Sequence, residues 1–363
     1  MTGFPIAGRA IGPGHPTYLI AELSANHGQS LDRAMELVRA AAAAGADAVK
    51  LQTYTPDTIT IRSDRPEFRI ASGTRWDGRQ LHDLYAEAMT PWEWHAPLMA
   101  EAKSLGLTCF SSPFDTSAVD FLRSLDVPAW KIASFELVDL PLIRRCAATG
   151  LPVIMSTGMA TLAEIDEAVR TARSAGCSQL ALLKCTSAYP TPADEVDLHT
   201  IPQLASAFDC IAGLSDHTLF PLDGGADGAS VPVAAVALGA AIIEKHLTLR
   251  RSDGGPDAAF SLEPAEFAVM ARMVRSAEQA LGRVRFTPSP KEIGSRILRR
   301  SLFVVADVAA GEAVTERNVR SIRPGHGLHT RHADEVLGRR FVRAVAAGTP
   351  LAWELLAPAM AQP

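Results

Sequence analysis

Short apolar runs alternate with longer amphipathic segments along roughly the first 280 residues of the 363-residue chain. Eight of these runs have the near-continuous apolar character of parallel strands that are covered on both faces. The predicted strands are residues 18–23, 48–52, 107–111, 129–133, 152–156, 180–185, 210–214 and 241–246.

The segments between the runs carry apolar residues at helical spacing, and several of them end at a glycine, a usual stop signal for a helix. Eight such strand–helix units in about 250 residues predict an α/β fold, a (β/α)8 TIM barrel. The main alternative is an open doubly wound sheet. Such a sheet would normally have a glycine-rich turn after its first strand, whereas residues 23–27 here read LSANH.

Three further segments define the predicted domain organisation. Residues 56–89 are polar and too long for a simple loop, so we expect a lid or an excursion at the barrel rim. Residues 285–297 are rich in proline and charge, which predicts a linker between a barrel domain at 1–284 and a second domain at 298–363. The second domain has short strands and glycine turns, and a unit of this size has a marginal core by itself.

Composition excludes several classes of protein. Apolar residues make up 47% of the chain and charged residues 21%, as in an ordinary globular protein. No apolar run reaches the roughly 18 residues of a membrane span, and the N-terminus does not resemble a signal peptide. Five cysteines without a CxxC pair argue against a disulfide framework. We therefore expect a cytoplasmic protein with no membrane partner.

The charge is unevenly distributed along the chain. The net charge is −5, yet the residues from 283 onward contain 13 Lys and Arg against 7 Asp and Glu. A basic C-terminal segment can contact nucleic acid, or it can attract an anionic small molecule bound elsewhere on the protein. The segment lacks a long basic run and interleaved aromatics, so we favour the small molecule and expect no nucleic-acid partner.

Polar residues lie at the carboxyl end of nearly every predicted strand, where TIM barrels carry their catalytic groups. His217 follows the seventh run and His246 closes the eighth. Two neutral imidazoles are enough for a labile divalent ion that keeps positions open for substrate oxygens, although either histidine could instead be a satisfied core or loop residue. The other polar residues at these ends include Glu22, Lys50, Ser111, Ser112, Lys131, Ser134, Glu136, Ser156, Lys184, Thr186, Ser187, Ser215 and Glu244.

Lys50 and Lys131 are predicted to be buried, and a buried lysine requires an anionic partner or a shifted pKa. With Ser134, Ser156 and Ser215 they would form a cationic, hydroxyl-rich pocket. Such a pocket suits a phosphate and a carboxylate on one ligand. No GxxxxGK[ST] motif is present, so we do not expect nucleotide phosphates in a P-loop.

Ten short segments together resemble the motifs of the sialic acid synthase family. The resemblance covers almost the whole chain and implies a TIM barrel followed by a small C-terminal SAF (antifreeze-like) β-rich domain. The segments are residues 21–27 (AELSANH), 49–54 (VKLQTY), 110–115 (FSSPFD), 131–134 (KIAS), 156–159 (STGM), 185–190 (CTSAYP), 213–218 (GLSDHT), 244–246 (EKH), 255–257 (GPD) and 323–325 (RPG).

Within this family, residues 51–60 (LQTYTPDTIT), 259–264 (AFSLEP) and 321–325 (SIRPG) are most similar to the pseudaminic acid synthases. N-acetylneuraminate synthases usually have asparagine in the third position of their CTNxYP motif, where this chain has Ser187. That position faces the sugar in the family, so the serine weakens the N-acetylneuraminate interpretation. The segment 220–230 is longer than the resemblance leads us to expect.

The resemblance implies that the protein condenses phosphoenolpyruvate with an amino-sugar aldehyde and water, releasing phosphate and a nine-carbon 2-keto acid. For a pseudaminic acid synthase the aldehyde is 2,4-diacetamido-2,4,6-trideoxy-L-altrose. A divalent ion on His217 and His246 would polarise the aldehyde oxygen. We expect Mn²⁺ or Mg²⁺, since a zinc site usually has three or four protein ligands.

The resemblance also implies roles for individual residues. Glu22 is the candidate for activating the water that adds to phosphoenolpyruvate. Arg323 corresponds to an arginine that lies over a partner subunit's active site, which implies a domain-exchanged homodimer; the alternative is a surface arginine in a turn. The residues expected to bind phosphoenolpyruvate are Lys50, Lys131, Ser134, Ser156 and Ser215. Ser111 is a further substrate-binding candidate. The residues expected to bind the sugar are Glu136, Ser187, Tyr189 and Asp257.

Three alternatives stay open at this point. The acceptor could be that of a legionaminic acid or an N-acetylneuraminate synthase. The protein could be an aldolase that forms a Schiff base at Lys131 or Lys184, in which case it would keep full activity after metal chelation. It could also be a sugar-binding protein without activity, which phosphate release from phosphoenolpyruvate would exclude.

Overall fold

The computed structural model describes residues 3–71, 76–220 and 229–358. The chain divides into two compact units, one ending at Gly282 and the other starting at Arg283. The first unit contains a closed barrel of eight parallel strands, in which the last strand pairs with the first. This confirms the predicted TIM barrel and excludes the open sheet.

A short hairpin of β1 (Phe4–Ile6) and β2 (Arg9–Ile11) precedes the barrel. Its apolar side chains pack against those that fill the barrel interior, so the hairpin belongs to the same core as the strands. The barrel strands are β3 (Tyr18–Glu22), β4 (Ala48–Thr53), β5 (Thr108–Pro113), β6 (Trp130–Ile132), β7 (Val153–Ser156), β8 (Leu180–Cys185), β9 (Ile211–Asp216) and β10 (Ile242–His246).

All eight predicted strands are present, and they differ from the prediction mainly at their carboxyl ends. β4, β5 and β9 extend to Thr53, Pro113 and Asp216, beyond the last apolar residue of each run. Backbone pairing continues where the side chains become polar, because the ladder uses only main-chain groups. The polar residues that close these strands are therefore held by sheet hydrogen bonds.

Helices cover the outside of the barrel, and their termini follow from local sequence. Ser30 caps α1 by accepting a hydrogen bond from Arg33 N at 3.3 Å, and Asp115 caps α5 through Ser117 N and Ala118 N. The helices of the first unit are α1 (Leu31–Ala43), α2 (Pro56–Ile59), α3 (Leu81–Ala88), α4 (His95–Ser104), α5 (Thr116–Arg123), α6 (Leu140–Ala147), α7 (Leu162–Ser174), α8 (Thr200–Phe208), α9 (Ser230–Ala237) and α10 (Pro264–Leu281).

The predicted excursion at 56–89 contains the helices α2 and α3. Residues 72–75 of this excursion lie outside the described residues. His82 on α3 has its Nε2 atom 3.0 Å from Asp57 Oδ1 on α2, which joins the two helices. The excursion therefore has secondary structure of its own.

The second unit begins with α11 (Pro290–Ile293), which lies in the predicted linker, and also contains α12 (Ala333–Val336). Strands β11 (Ser301–Val304) and β12 (Val319–Ile322) pair antiparallel around a separate apolar core. This matches the expectation of short strands. Across the described ranges of both units, no helix is long and apolar enough to span a bilayer.

Candidate active site

Two lysines and two glutamates from four barrel strands meet at the carboxyl end of the barrel. Lys50 Nζ contacts Glu22 directly and lies 3.6 Å from Glu244 Oε1 and 3.2 Å from Ser112 Oγ. Lys131 Nζ lies 3.4 Å from the same Glu244 oxygen. All four charged side chains are buried, so each lysine has the anionic partner that its burial requires.

The two positive and two negative charges of this cluster nearly cancel. The net charge of the cluster changes when Glu22 gains or loses its proton. Burial raises the pKa of Glu22 to about 7. Lys50 lowers this pKa and the nearby Glu244 raises it, but burial has the largest effect. Burial would also raise the pKa of Glu244, but Lys131 and Lys50 hold it below its ordinary value. Near neutral pH, Glu244 is thus ionised while Glu22 exchanges a proton, as a general acid or base does.

Glu244 was predicted among the polar residues at strand ends, but no role was predicted for it. Its Oε1 atom also accepts a hydrogen bond of 3.4 Å from Ser215 Oγ. The alternation of side chains along the strand shows that Glu244 faces the barrel interior. Ile242 belongs to the core inside the barrel, so residues 244 and 246 of the same strand share its face.

The two predicted histidines face each other at the ends of β9 and β10, with ring centroids 5.3 Å apart. His217 Nδ1 lies 3.2 Å from the carbonyl oxygen of Thr186. A carbonyl only accepts hydrogen bonds, so Nδ1 carries the proton and Nε2 keeps its lone pair. Burial would lower the pKa of His217, but the Cys185 thiol beside it raises that pKa, while His217 brings the pKa of the buried thiol down to about 7.

The donor set fits a weakly held divalent ion. Burial and the nearby His217 hold the pKa of His246 well below its ordinary value, so this imidazole is neutral, as a ligand must be. Its buried Nδ1 atom has no hydrogen-bond partner among the described residues. Within those ranges no three His, Cys, Asp or Glu side chains form a metal-binding group, so the remaining ligands would come from substrate or water.

A second buried ion pair joins the strands that carry the histidines. Lys245 Nζ lies 2.7 Å from Asp216 Oδ2, and neither side chain is exposed to solvent. Lys245 also donates to the Thr218 carbonyl, and Asp216 accepts from Thr218 N at 3.0 Å. Because His217 follows Asp216 and His246 follows Lys245, the pair holds the two histidine-bearing strand ends together.

Ser111 takes part in a buried chain of hydrogen bonds whose direction can be assigned. His95 Nδ1 faces the carbonyls of Pro91 and Trp92, at 3.3 and 3.2 Å, so Nδ1 is the protonated nitrogen. Burial lowers the pKa of His95 to about 4, so Nε2 accepts the Thr53 hydroxyl, 2.7 Å away. The Thr53 oxygen then accepts from Ser111 Oγ, also at 2.7 Å. Ser111 thus uses its only proton inside the protein.

Ser134 and Ser187 come together around Gly158. Gly158 N donates to Ser134 Oγ at 3.1 Å. A Cβ atom on Gly158 would collide with Ser187 Oγ and lie only 2.8 Å from Ser134 Oγ, so this position requires glycine. Ser156, at the end of β7, has a buried hydroxyl without a hydrogen-bond partner in the described ranges.

Of the residues expected to bind the sugar, Tyr189 lies beside the histidines, with its ring centroid 4.6 Å from that of His217 and 5.2 Å from that of Phe260. Ser24 links the catalytic candidate Glu22 with the sugar-binding candidate Asp257. Its N donates to Glu22 Oε1 at 2.8 Å, and its hydroxyl contacts Asp257. Phe260 and Ser24 were not predicted, since their roles depend on contacts between distant segments.

Glu136 is half-buried, and its Oε2 atom has no hydrogen-bond partner among the described residues. Burial raises the pKa of Glu136 to about 7. Lys184 lies apart from the charged cluster and contacts Thr186 Oγ1 at 3.4 Å. Arg323 is exposed in the second unit. Of the segment 220–230, which was predicted to be unusually long, residues 221–228 lie outside the described residues.

Comparison with known proteins agrees with this geometry. The sequence model of the NeuB family matches residues 37–286, and the model of the SAF domain matches residues 299–357. Pseudaminic acid synthase from Helicobacter pylori is 43% identical over 337 residues, which cover 93% of this chain and 96% of that protein. N,N'-diacetyllegionaminic acid synthase from Legionella pneumophila is 36% identical and covers 93% of this chain and 94% of that protein.

Among solved structures, the N-acetylneuraminic acid (sialic acid) synthetase from Leptospira borgpetersenii superposes with a TM-score of 0.70 at 29% identity, covering 81% of this chain and 95% of that one. The family match spans more than half of the chain, and the similarity continues through the SAF domain. With its eight-stranded barrel and its charged cluster beside two histidines, the chain belongs to the NeuB family.

Proposed function

We propose that this protein is a pseudaminic acid synthase, which condenses phosphoenolpyruvate with 2,4-diacetamido-2,4,6-trideoxy-L-altrose and water to give pseudaminic acid and phosphate. Enzymes of the family form a carbon–carbon bond between phosphoenolpyruvate and a sugar. The observation that carries the choice of acceptor is the identity of 43% to a pseudaminic acid synthase, against 36% to a legionaminic acid synthase of equal coverage.

In the proposed reaction, C3 of phosphoenolpyruvate bonds to the aldehyde carbon, water adds to C2, and the tetrahedral intermediate collapses to release phosphate. Lys50 and Lys131 hold the phosphate and carboxylate of phosphoenolpyruvate as charge-assisted donors, with Ser134, Ser156 and Ser215 as neighbouring hydroxyls. As the anion arrives, it replaces glutamate oxygens as the partner of the lysines.

Glu22 moves the proton of the attacking water in this proposal. Its pKa of about 7 makes it a base and an acid of matched strength near neutral pH. Its Oε1 atom is oriented by Ser24 N, which leaves the second oxygen near Lys50 for the proton transfer.

The family is metal-dependent in general, and we propose that His217 and His246 hold Mn²⁺ or Mg²⁺ in this protein. When bound, such an ion supplies Lewis-acid polarisation of the aldehyde oxygen. The protein's own part is to keep the His246 imidazole neutral through burial and to orient His217 through its hydrogen bond to Thr186.

We propose the domain boundaries 1–284, 285–297 and 298–363, a cytoplasmic location and a domain-exchanged homodimer in which Arg323 reaches the partner's active site. The boundaries are supported by the division after Gly282 and by the SAF match from residue 299. The location is supported by the five buried free cysteines, which suit a reducing compartment. The role of Arg323 is supported by its exposure in a basic domain.

The acceptor is tested by incubating the purified protein with phosphoenolpyruvate, Mn²⁺ and three sugars: the altro-configured acceptor, a stereoisomeric 2,4-diacetamido-2,4,6-trideoxyhexose and N-acetylmannosamine. Phosphate release gives kcat/KM, and mass spectrometry identifies each product. We expect the altro sugar to be the best substrate, and a higher kcat/KM for another sugar would refute the proposal.

Two controls separate the proposal from other enzyme classes. His246→Ala, checked for folding by circular dichroism, should lose metal-dependent turnover. Full activity after chelation, together with borohydride trapping of a lysine adduct, would instead indicate an aldolase that uses Lys131 or Lys184. No phosphate release with any sugar would leave the sugar-binding interpretation.

A further inference from the structure

Trp76 brings the excursion at 56–89 into contact with the candidate sugar site. Its ring centroid lies 6.2 Å from that of Tyr189, and the two ring planes are tilted by 60°. Tyr189 in turn packs against His217 and Phe260, with centroids at 4.6 and 5.2 Å. Tyr189 therefore connects Trp76 of the excursion with His217 and with Phe260.

We infer that Trp76 and Tyr189 form the apolar end of the acceptor site and select sugars whose C6 is a methyl group rather than a hydroxymethyl group. This inference rests on the proposed function, because it assumes that the aldehyde end of the acceptor lies at the two histidines. It adds a specificity-determining residue from a segment outside the barrel strands.

The spacing of the rings fits the length of the acceptor. The five bonds from C1 to C6 of an open-chain hexose span roughly 6 Å, at the advance per bond of an extended polypeptide. Starting beside His217, a chain of that length passes the Tyr189 ring, which is 4.6 Å away. Its far end then reaches the contact between Tyr189 and Trp76, whose centroids are 6.2 Å apart, and lies against the two rings.

The chemistry of this surface favours a methyl group. A methyl group packed against aromatic rings leaves water without losing a hydrogen bond, whereas a hydroxyl buried there gives up its bonds to water. Since apolar pockets reject an added hydroxyl by at most about 100-fold, we expect a preference of roughly 10- to 100-fold for the 6-deoxy sugar.

The test compares wild type with Trp76→Leu, Trp76→Phe and Arg65→Ala. Arg65 lies exposed on the same excursion and serves as the matched control. Each protein is assayed with the 6-deoxy acceptor and with the otherwise identical 6-hydroxy sugar, and KM for phosphoenolpyruvate is measured in parallel. Thermal unfolding confirms that each variant is folded.

We expect Trp76→Leu to reduce the 6-deoxy preference at least tenfold, mainly through the KM of the 6-deoxy acceptor, with KM for phosphoenolpyruvate unchanged. Trp76→Phe should be intermediate, and Arg65→Ala should behave as wild type. An equal loss with both sugars would show that Trp76 only supports the fold, and an unchanged preference would show that it does not contact C6. Either result overturns the inference.

A binding measurement keeps the inference separate from the proposed activity. In saturation-transfer NMR with the 6-deoxy sugar and no phosphoenolpyruvate, the C6 methyl signal should be strong with wild type and lost with Trp76→Leu. An unchanged preference for the 6-deoxy sugar in Trp76→Leu would overturn the inference while the proposed synthase activity stands. Methyl contact by a protein that releases no phosphate would instead overturn the proposed function alone.

Discussion

Replacing Lys245 with methionine removes the cation from the buried pair that links β9 to β10. Methionine fills most of the lysine volume, so the change isolates the charge and its hydrogen bonds from packing. Lys245 Nζ lies 2.7 Å from Asp216 Oδ2 and 3.4 Å from Thr218 Oγ1, and both charged side chains are 0% exposed. Without the lysine, the Asp216 carboxylate stays buried with no counter-charge in direct contact.

Removing one partner of a buried ion pair costs about 3–5 kcal/mol. Asp216 would keep two donors, Thr218 N at 3.0 Å and Thr218 Oγ1 at 3.1 Å, so we expect a loss near the lower end, about 3 kcal/mol. The double variant Lys245→Met with Asp216→Asn leaves no buried charge and keeps an acceptor for Thr218. It should therefore be more stable than Lys245→Met alone, with a coupling energy of about 2 kcal/mol.

The assay is urea unfolding of wild type, the two single variants and the double variant, followed by tryptophan fluorescence. The surface pair of Arg145 and Asp120, whose side chains are 46% and 56% exposed, provides the matched control and should contribute no more than about 1 kcal/mol. A loss below about 1 kcal/mol for Lys245→Met, or strictly additive effects in the double variant, would refute the reasoning.

Three further predictions concern single residues. Burial raises the pKa of Glu136 from 4.5 to about 7, so the folded protein keeps a proton that the unfolded chain releases, and stability falls as pH rises through that interval. Glu136→Gln should therefore gain up to about 3 kcal/mol over wild type between pH 4 and pH 8 in urea unfolding, and a constant difference would contradict this. Ser111→Ala should lower the free energy of unfolding by about 1 kcal/mol, because it removes the hydrogen bond that Ser111 donates to Thr53. The KM for phosphoenolpyruvate should change less than about twofold, and a tenfold rise in that KM would show a direct contact. Arg323→Ala should lose most activity while light scattering still reports a dimer, and unchanged kinetics would remove its proposed role.

The barrel was predictable because parallel strands covered by helices are apolar on both faces, and each of the eight runs proved to be a strand. The same criterion placed Glu244 among the polar residues at strand ends but predicted no role for it, since its lysine partners come from other strands. Strand alternation places its side chain inside the barrel, because Ile242 faces the barrel interior and residues two apart share a face.

Other parts of the site depend on contacts that no local pattern encodes. Ser111 was predicted as a substrate-binding serine, and the sequence could not show that its proton is directed to Thr53 and His95, because His95 comes from helix α4. Trp76 lies in a polar excursion where the sequence offered no reason to choose it. Such residues are fixed only when distant segments pack together.

The pairing of Lys50 and Lys131 with Glu22 and Glu244 has a consequence for the salts that surround the protein. A monovalent ion such as chloride would have to displace a carboxylate already in contact with a lysine, and it brings no second charge to satisfy the other lysine. A molecule with two anionic groups can replace both carboxylates at once. The glutamates thereby act as internal competitors for the two lysines, and a single monovalent anion can replace only one of them.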